Sequence, residues 1–178
     1  MRELRDENIL RLKDGRKLGY AEYGNPDGFP IFLLHGNPGS RLIWGLLPTA
    51  LLPPDLHVIA PDRPGYGLSE YSAHRSVADF PEDIVELADS LGVGEFSLAG
   101  FSGGGPAALA CAWKIPDRLY SVGVISSVGP LEKPLALIGM RRMFRALYRA
   151  SYFLPWIVRA QMGFVASLAR RNPEKLQN

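Results

Sequence analysis

The sequence predicts an α/β protein built as a doubly wound, mostly parallel sheet, entered through an N-terminal antiparallel hairpin and followed by a helical segment. Three observations predict it. Short, mostly apolar runs recur at residues 30–34, 57–60, 96–99 and 122–128, as strands buried on both faces require. Helical patterns separate these runs, and a strand–helix–strand alternation favours parallel pairing through crossovers. Strand signals cease after Pro130, where residues 135–169 read as helical, aromatic and basic. The expected division is a six-stranded core at 1–130 and a helical segment at 131–178.

Residues 8–12 and 16–23 flank Asp14-Gly15, a two-residue hairpin signal. Pro-Ile-Phe-Leu-Leu at 30–34 is the first buried strand. Residues 41–52 carry Leu42, Trp44, Leu46 and Leu47 at helical spacing and stop at Pro53-Pro54. The second buried strand, 57–60, runs into a Gly-, Pro- and Ser-rich loop at 61–74. Asp79 is placed to cap the next helix, with Pro81 in its first turn and Glu82 three residues on. Ile84, Leu87, Ala88 and Leu91 share one face of it, and Gly92 closes it. After the 96–99 strand, a helix over 103–114 has a small inner face of Ala107, Ala108, Ala110 and Cys111, which lets it lie close to a sheet. Residues 122–128 form the last buried run.

With 178 residues there is room for one ordinary domain. The 47% apolar and 21% charged content excludes a disordered or charge-dominated chain. Cys111 is the only cysteine, so no intrachain disulfide forms and a reducing, cytoplasmic setting is expected. The first seven residues lack the apolar stretch of a signal peptide. The net charge of +2 divides into −5 over residues 1–134 and +7 over 135–178. The basic residues of the second part recur at helical intervals among apolar ones, which describes a solvated helix face and not a nucleic-acid site. Residues 150–169 are apolar but interrupted by Pro155, Arg159 and Gln161, so no transmembrane span is expected. Cofactors are not expected: no phosphate-binding glycine loop occurs, and His35, His57, His74 and Cys111 lack metal-ligand spacing.

Chemistry concentrates in three places. Gly100-Phe101-Ser102-Gly103-Gly104 follows a buried strand and opens a helix, the context of a nucleophile elbow in which a sharp turn lifts the serine hydroxyl to the carboxyl edge of the sheet. His35-Gly36-Asn37-Pro38-Gly39 follows another strand. It can supply a second oxyanion donor, the Asn37 N–H, beside that of Gly103. His35, Gly36 and Pro38 are expected to shape that loop. Asp62-Arg63-Pro64-Gly65-Tyr66-Gly67-Leu68-Ser69 reads as a tight turn with Asp62 and Arg63 paired to each other.

Taken together, these three segments resemble the α/β-hydrolase superfamily over about residues 10–130. The segment Ala110-Cys111-Ala112-Trp113-Lys114-Ile115-Pro116-Asp117-Arg118-Leu119 is similar to that family's exit from the nucleophile helix. The resemblance implies an α/β-hydrolase fold with Ser102 as nucleophile and the backbone N–H groups of Gly103 and Asn37 as oxyanion donors. It implies a small-molecule ester, amide or lactone as substrate, with Phe101 and Trp156 near the acyl group. The Asp-nucleophile branches of the family are disfavoured by Ser102. Residues 135–178 resemble the beginning of its lid.

The family's triad order is Ser, then Asp or Glu, then His. No histidine follows Ser102 here, and the only acids after it are Asp117, Glu132 and Glu174. Asp117 falls at the far end of the helix and Glu132 just past the sixth strand. His57 begins a strand at the opposite edge, and His74 sits in a loop at the correct one. The expectation is an incomplete hydrolase whose acid and histidine come from a C-terminal segment or a second chain, with residues 122–125 left as an apolar edge. The alternative is a non-catalytic remnant or binding module of the same fold.

Overall fold

A computed structural model describes residues 5–47, 53–127, 129, 138–154, 156, 157, 160, 163 and 167. The chain divides into two compact units, Met1–Gly129 and Pro130–Asn178.

In the first unit, β1 (Arg5–Arg11) and β2 (Lys17–Gly24) pair antiparallel. Gly15, at φ +89°, makes the turn between them, a backbone region that residues with a Cβ rarely adopt. β3 (Phe29–Leu34), β4 (Leu56–Pro61), β5 (Phe96–Phe101) and β6 (Leu119–Ile125) complete a six-stranded sheet of order β1-β2-β4-β3-β5-β6. β2 meets β4 antiparallel, and β4, β3, β5 and β6 run parallel. From β3 the chain passes to β4 on one side, then crosses to β5 on the other. Leu34 therefore pairs with Gly100, and the loops leaving β3 and β5 emerge side by side. Such a reversal of strand order is where open α/β sheets place their ligands.

Strand alternation divides the core. Phe32, Leu34, Ile59, Phe96 and Leu98 face α1 (Phe80–Ser90) and α2 (Gly105–Lys114), packing with Ile84, Leu87, Ala108 and Cys111. Each large apolar side chain buried there contributes about 1.5–3 kcal/mol. Ala21, Tyr23, Val58 and Ala60 point the other way, with Ile31, Leu33 and Trp44 packed against them. Trp44 belongs to a 3-10 helix, Arg41–Leu46, the described part of the helix expected at 41–52.

Three expectations are corrected. The last strand spans Leu119–Ile125, not 122–128, and is not the buried run expected; Val124 and Ile125 are exposed, as the apolar edge expected at 122–125 requires, and among the described residues β6 pairs only with β5. Val128 lies outside the described residues. Asp79 stands at the start of α1, but its carboxylate accepts hydrogen bonds from the N–H (2.7 Å) and hydroxyl (2.9 Å) of Ser76. It thus closes the preceding 3-10 turn, Val77–Asp79, and does not cap α1. The helix expected at 103–114 begins as a 3-10 turn, Ser102–Gly104, before α2 proper.

The second unit contains α3 (Arg142–Phe153). Among the described residues no helix is long and apolar enough to cross a membrane.

Candidate active site

Ser102 is the first residue after β5 and has φ +50°, a left-handed conformation that costs a residue with a Cβ about 1–3 kcal/mol. The turn is held there by close packing from the neighbouring loop. A Cβ on Gly36 would stand 2.9 Å from the Ser102 Cβ and 3.4 Å from its Oγ. A Cβ on Gly103 would stand 2.8 Å from the Asn37 side chain. The backbone at Gly36 and the Asn37 side chain thus lie directly against the Ser102–Gly103 turn, as the paired ends of β3 and β5 require. Phe101, partly exposed, is the residue before it.

His35 is fully buried and both its ring nitrogens are engaged. Nδ1–H donates to the Gly36 carbonyl at 2.9 Å, and Nε2 accepts the Arg63 N–H at 3.1 Å. Burial holds its pKa below the ordinary histidine value, so the ring is neutral. Tyr66 sits edge-on to it, with ring centroids 5.1 Å apart. Pro38 follows Asn37 through a cis peptide bond.

The expected Asp62–Arg63 pair does not form. Adjacent residues leaving a strand point to opposite sides, and these two do so. Asp62, fully buried, accepts from Arg41 Nη1 at 2.8 Å and from the Arg41 and Leu68 N–H groups at 2.7 and 2.9 Å. Arg63 turns toward Ser102. Its Nη1 donates to Gly103 O at 2.9 Å and its Nη2 to Gly36 O at 3.0 Å and to Asn37 Oδ1. Its guanidinium carbon lies 4.9 Å from the Tyr66 ring centre. The Tyr66 hydroxyl donates to Asn37 Oδ1 at 2.8 Å. Burial lowers the Arg63 pKa from its ordinary value. Sequence reading did not assign Arg41, Arg63 and Tyr66 to the site; only the placement of Arg63 two residues beyond a buried strand hinted at its direction.

Ser102 Oγ has no hydrogen-bond partner among the described residues. His57 is bonded to Glu22 at 2.8 Å between β4 and β2, where the parallel strands begin. His74 is exposed in its loop. Asp117 lies in a 3-10 turn beyond the far end of α2, and Glu132 and Glu174 lie outside the described residues. Trp156 belongs to the second unit and is largely exposed. Cys111 is buried on α2, and burial pushes its thiol up to about 12, which removes it as a nucleophile. Among the described residues no cluster of His, Cys, Asp and Glu could hold a metal ion. A cavity of about 170 Å³ opens beside Arg63, lined by Tyr66, Tyr71, Arg75, Ser76 and Phe80 but not by Ser102.

The family model for the alpha/beta hydrolase fold matches residues 30–155, most of the chain. The chain belongs to the α/β-hydrolase family. It is 34% identical over 123 residues to an uncharacterized hydrolase of Saccharomyces cerevisiae, covering 67% of this chain and 41% of that protein. Among solved structures it is similar to an esterase from Exiguobacterium antarcticum, with TM-score 0.61 and 25% identity, covering 70% of this chain and 46% of the other. It is also similar to an epoxide hydrolase from Vigna radiata, with TM-score 0.68 and 26% identity, covering 99% of this chain and 58% of the other. The chain spans less than half the length of the curated relatives it matches. The turn carrying Ser102 and the loop carrying Asn37 fall inside the matched segment.

Proposed function

We propose that this chain carries the nucleophile and oxyanion portion of a serine hydrolase acting on a carboxylic ester, amide or lactone. Ser102 Oγ attacks the carbonyl carbon, and its proton passes to a base. The N–H groups of Gly103 and Asn37 hold the resulting oxyanion. Collapse expels the alcohol or amine, which takes the proton back, and leaves an acyl group on Ser102 for water to release. A histidine and its orienting acid come from a C-terminal segment or a second chain, since no histidine follows Ser102 in the sequence and no base of the described residues bonds its hydroxyl. Phe101, beside Ser102, flanks the acyl group of a small-molecule substrate. The single cysteine, Cys111, leaves no intrachain disulfide to form, which favours a cytoplasmic setting.

The observation that carries this reading is the strained φ of Ser102 at a strand-to-helix turn, packed against Gly36 and Asn37. The serine, in place of an aspartate, supports acyl transfer over epoxide opening. A second reading, a binding module that keeps the fold without turnover, draws on the unpartnered Ser102 hydroxyl.

p-Nitrophenyl acetate separates the two. With the histidine and its acid supplied by the C-terminal segment or second chain, a competent Ser102 releases a burst of about one nitrophenol per molecule, followed by slower turnover as water releases the acyl group. Ser102→Ala abolishes the burst. Equal traces from the chain and the variant would remove the serine-hydrolase reading and leave the binding module.

A further inference from the structure

The Arg63 guanidinium is half-buried and is met by neutral oxygens: Gly36 O, Gly103 O and Asn37 Oδ1. Among the described residues no carboxylate pairs with it, and its Nε is buried without a partner. Keeping a cation in such a place is costly unless something else draws on the charge.

What it holds is specific. The Gly36 carbonyl belongs to the same peptide as the Asn37 N–H. That peptide is trans, so its carbonyl and N–H point in opposite directions. Two donors fix the carbonyl, His35 Nδ1–H at 2.9 Å and Arg63 Nη2–H at 3.0 Å. The Asn37 N–H therefore points away from both, and it has no acceptor among the described residues. A charged donor on a peptide carbonyl also draws electron density from its N–H and makes it a stronger donor. The other guanidinium nitrogen bonds the carbonyl of Gly103, the residue that supplies the other oxyanion N–H.

We infer that Arg63 is the positioning residue of the oxyanion hole, fixing and polarising the Gly36–Asn37 peptide so that the Asn37 N–H stays aimed at the oxyanion, with its positive charge beside the negative charge that forms. This rests on the serine-hydrolase reading above. Arg63 does not touch the substrate; it acts through Gly36, Asn37 and Gly103.

The test is the rate at which a fluorophosphonate labels Ser102 in the complete hydrolase, with its histidine and acid supplied, because the probe's phosphoryl oxygen occupies the same hole. Arg63→Ala should slow the limiting inactivation rate about 100-fold, the size of effect seen when one oxyanion donor is lost, while the probe concentration giving half that rate stays unchanged. Arg63→Lys, which keeps the charge but not the fork, should recover about tenfold over Ala. Methylguanidinium added to Arg63→Ala should restore labelling, an effect no purely structural loss allows. Circular dichroism checks folding. If the Ala variant is unfolded, Arg63→Gln set against Arg63→Lys decides, with Gln the slower. Either neutral variant labelling at the parent rate overturns the role of Arg63 and leaves Ser102 as nucleophile. A parent chain that takes no label on Ser102, under conditions that label other serine hydrolases, overturns both.

Discussion

Two arginines flank the end of β4 and meet opposite fates. Arg41 is almost fully buried, and Asp62 answers it with both oxygens. That corner is closed: charge against charge, with the Leu68 N–H on the same carboxylate. Arg63, on the other side of the same turn, meets three neutral oxygens and an aromatic ring. A charge already neutralised can lock a turn but offers little to a reaction. One held by neutral acceptors still projects its field, and Arg63 projects it onto the loop beside Ser102. The contrast separates a residue that maintains the fold from one that tunes a site.

Breaking the closed corner should have the larger effect on stability. Arg41→Met leaves the Asp62 carboxylate buried without its counterion, and removing one partner of a buried pair costs about 3–5 kcal/mol. Urea unfolding measures it, and Ser102 labelling per folded molecule should hardly change. A loss below about 1 kcal/mol would mean that the two N–H donors alone satisfy Asp62 and that the two corners are alike.

The histidine between the corners gives a pH signature of middle size. Burial lowers the His35 pKa, so the unfolded chain binds a proton more readily below pH 6.5, the ordinary histidine value. Stability is therefore full above pH 6.5 and falls as pH drops below it, by up to about 1.4 kcal/mol per pH unit. His35→Gln should flatten this limb of a stability-against-pH curve. An unchanged slope in the variant would assign the effect to another group.

Opening the second corner should cost least in stability. Arg63→Gln removes a cation that no carboxylate neutralises, so unfolding should shift by about 1 kcal/mol or less, while Ser102 labelling falls sharply. A variant that loses several kcal/mol and labels normally would make Arg63 a second Arg41.

Much of this was legible in the sequence. The apolar runs located the central strands, Asp14-Gly15 located the hairpin, and the glycines around Ser102 marked the strained turn. What escaped depends on residues distant in sequence. The partner of Asp62 is 21 residues away and becomes a neighbour only when the loop after β3 folds beside β4. The targets of Arg63 lie on two other strands' loops. At Asp79, the residue type was right for a cap, but Ser76 three residues earlier competes for the same carboxylate.

The central claim is that Ser102 takes the acyl group. Acid-quenching the hydrolase, complete with its histidine and acid, during p-nitrophenyl acetate turnover and mapping its peptides by mass spectrometry tests it directly. The account predicts one acetyl group on the peptide containing Ser102, absent from Ser102→Ala. An acetyl group found only on surface lysines, equally in both proteins, would contradict it.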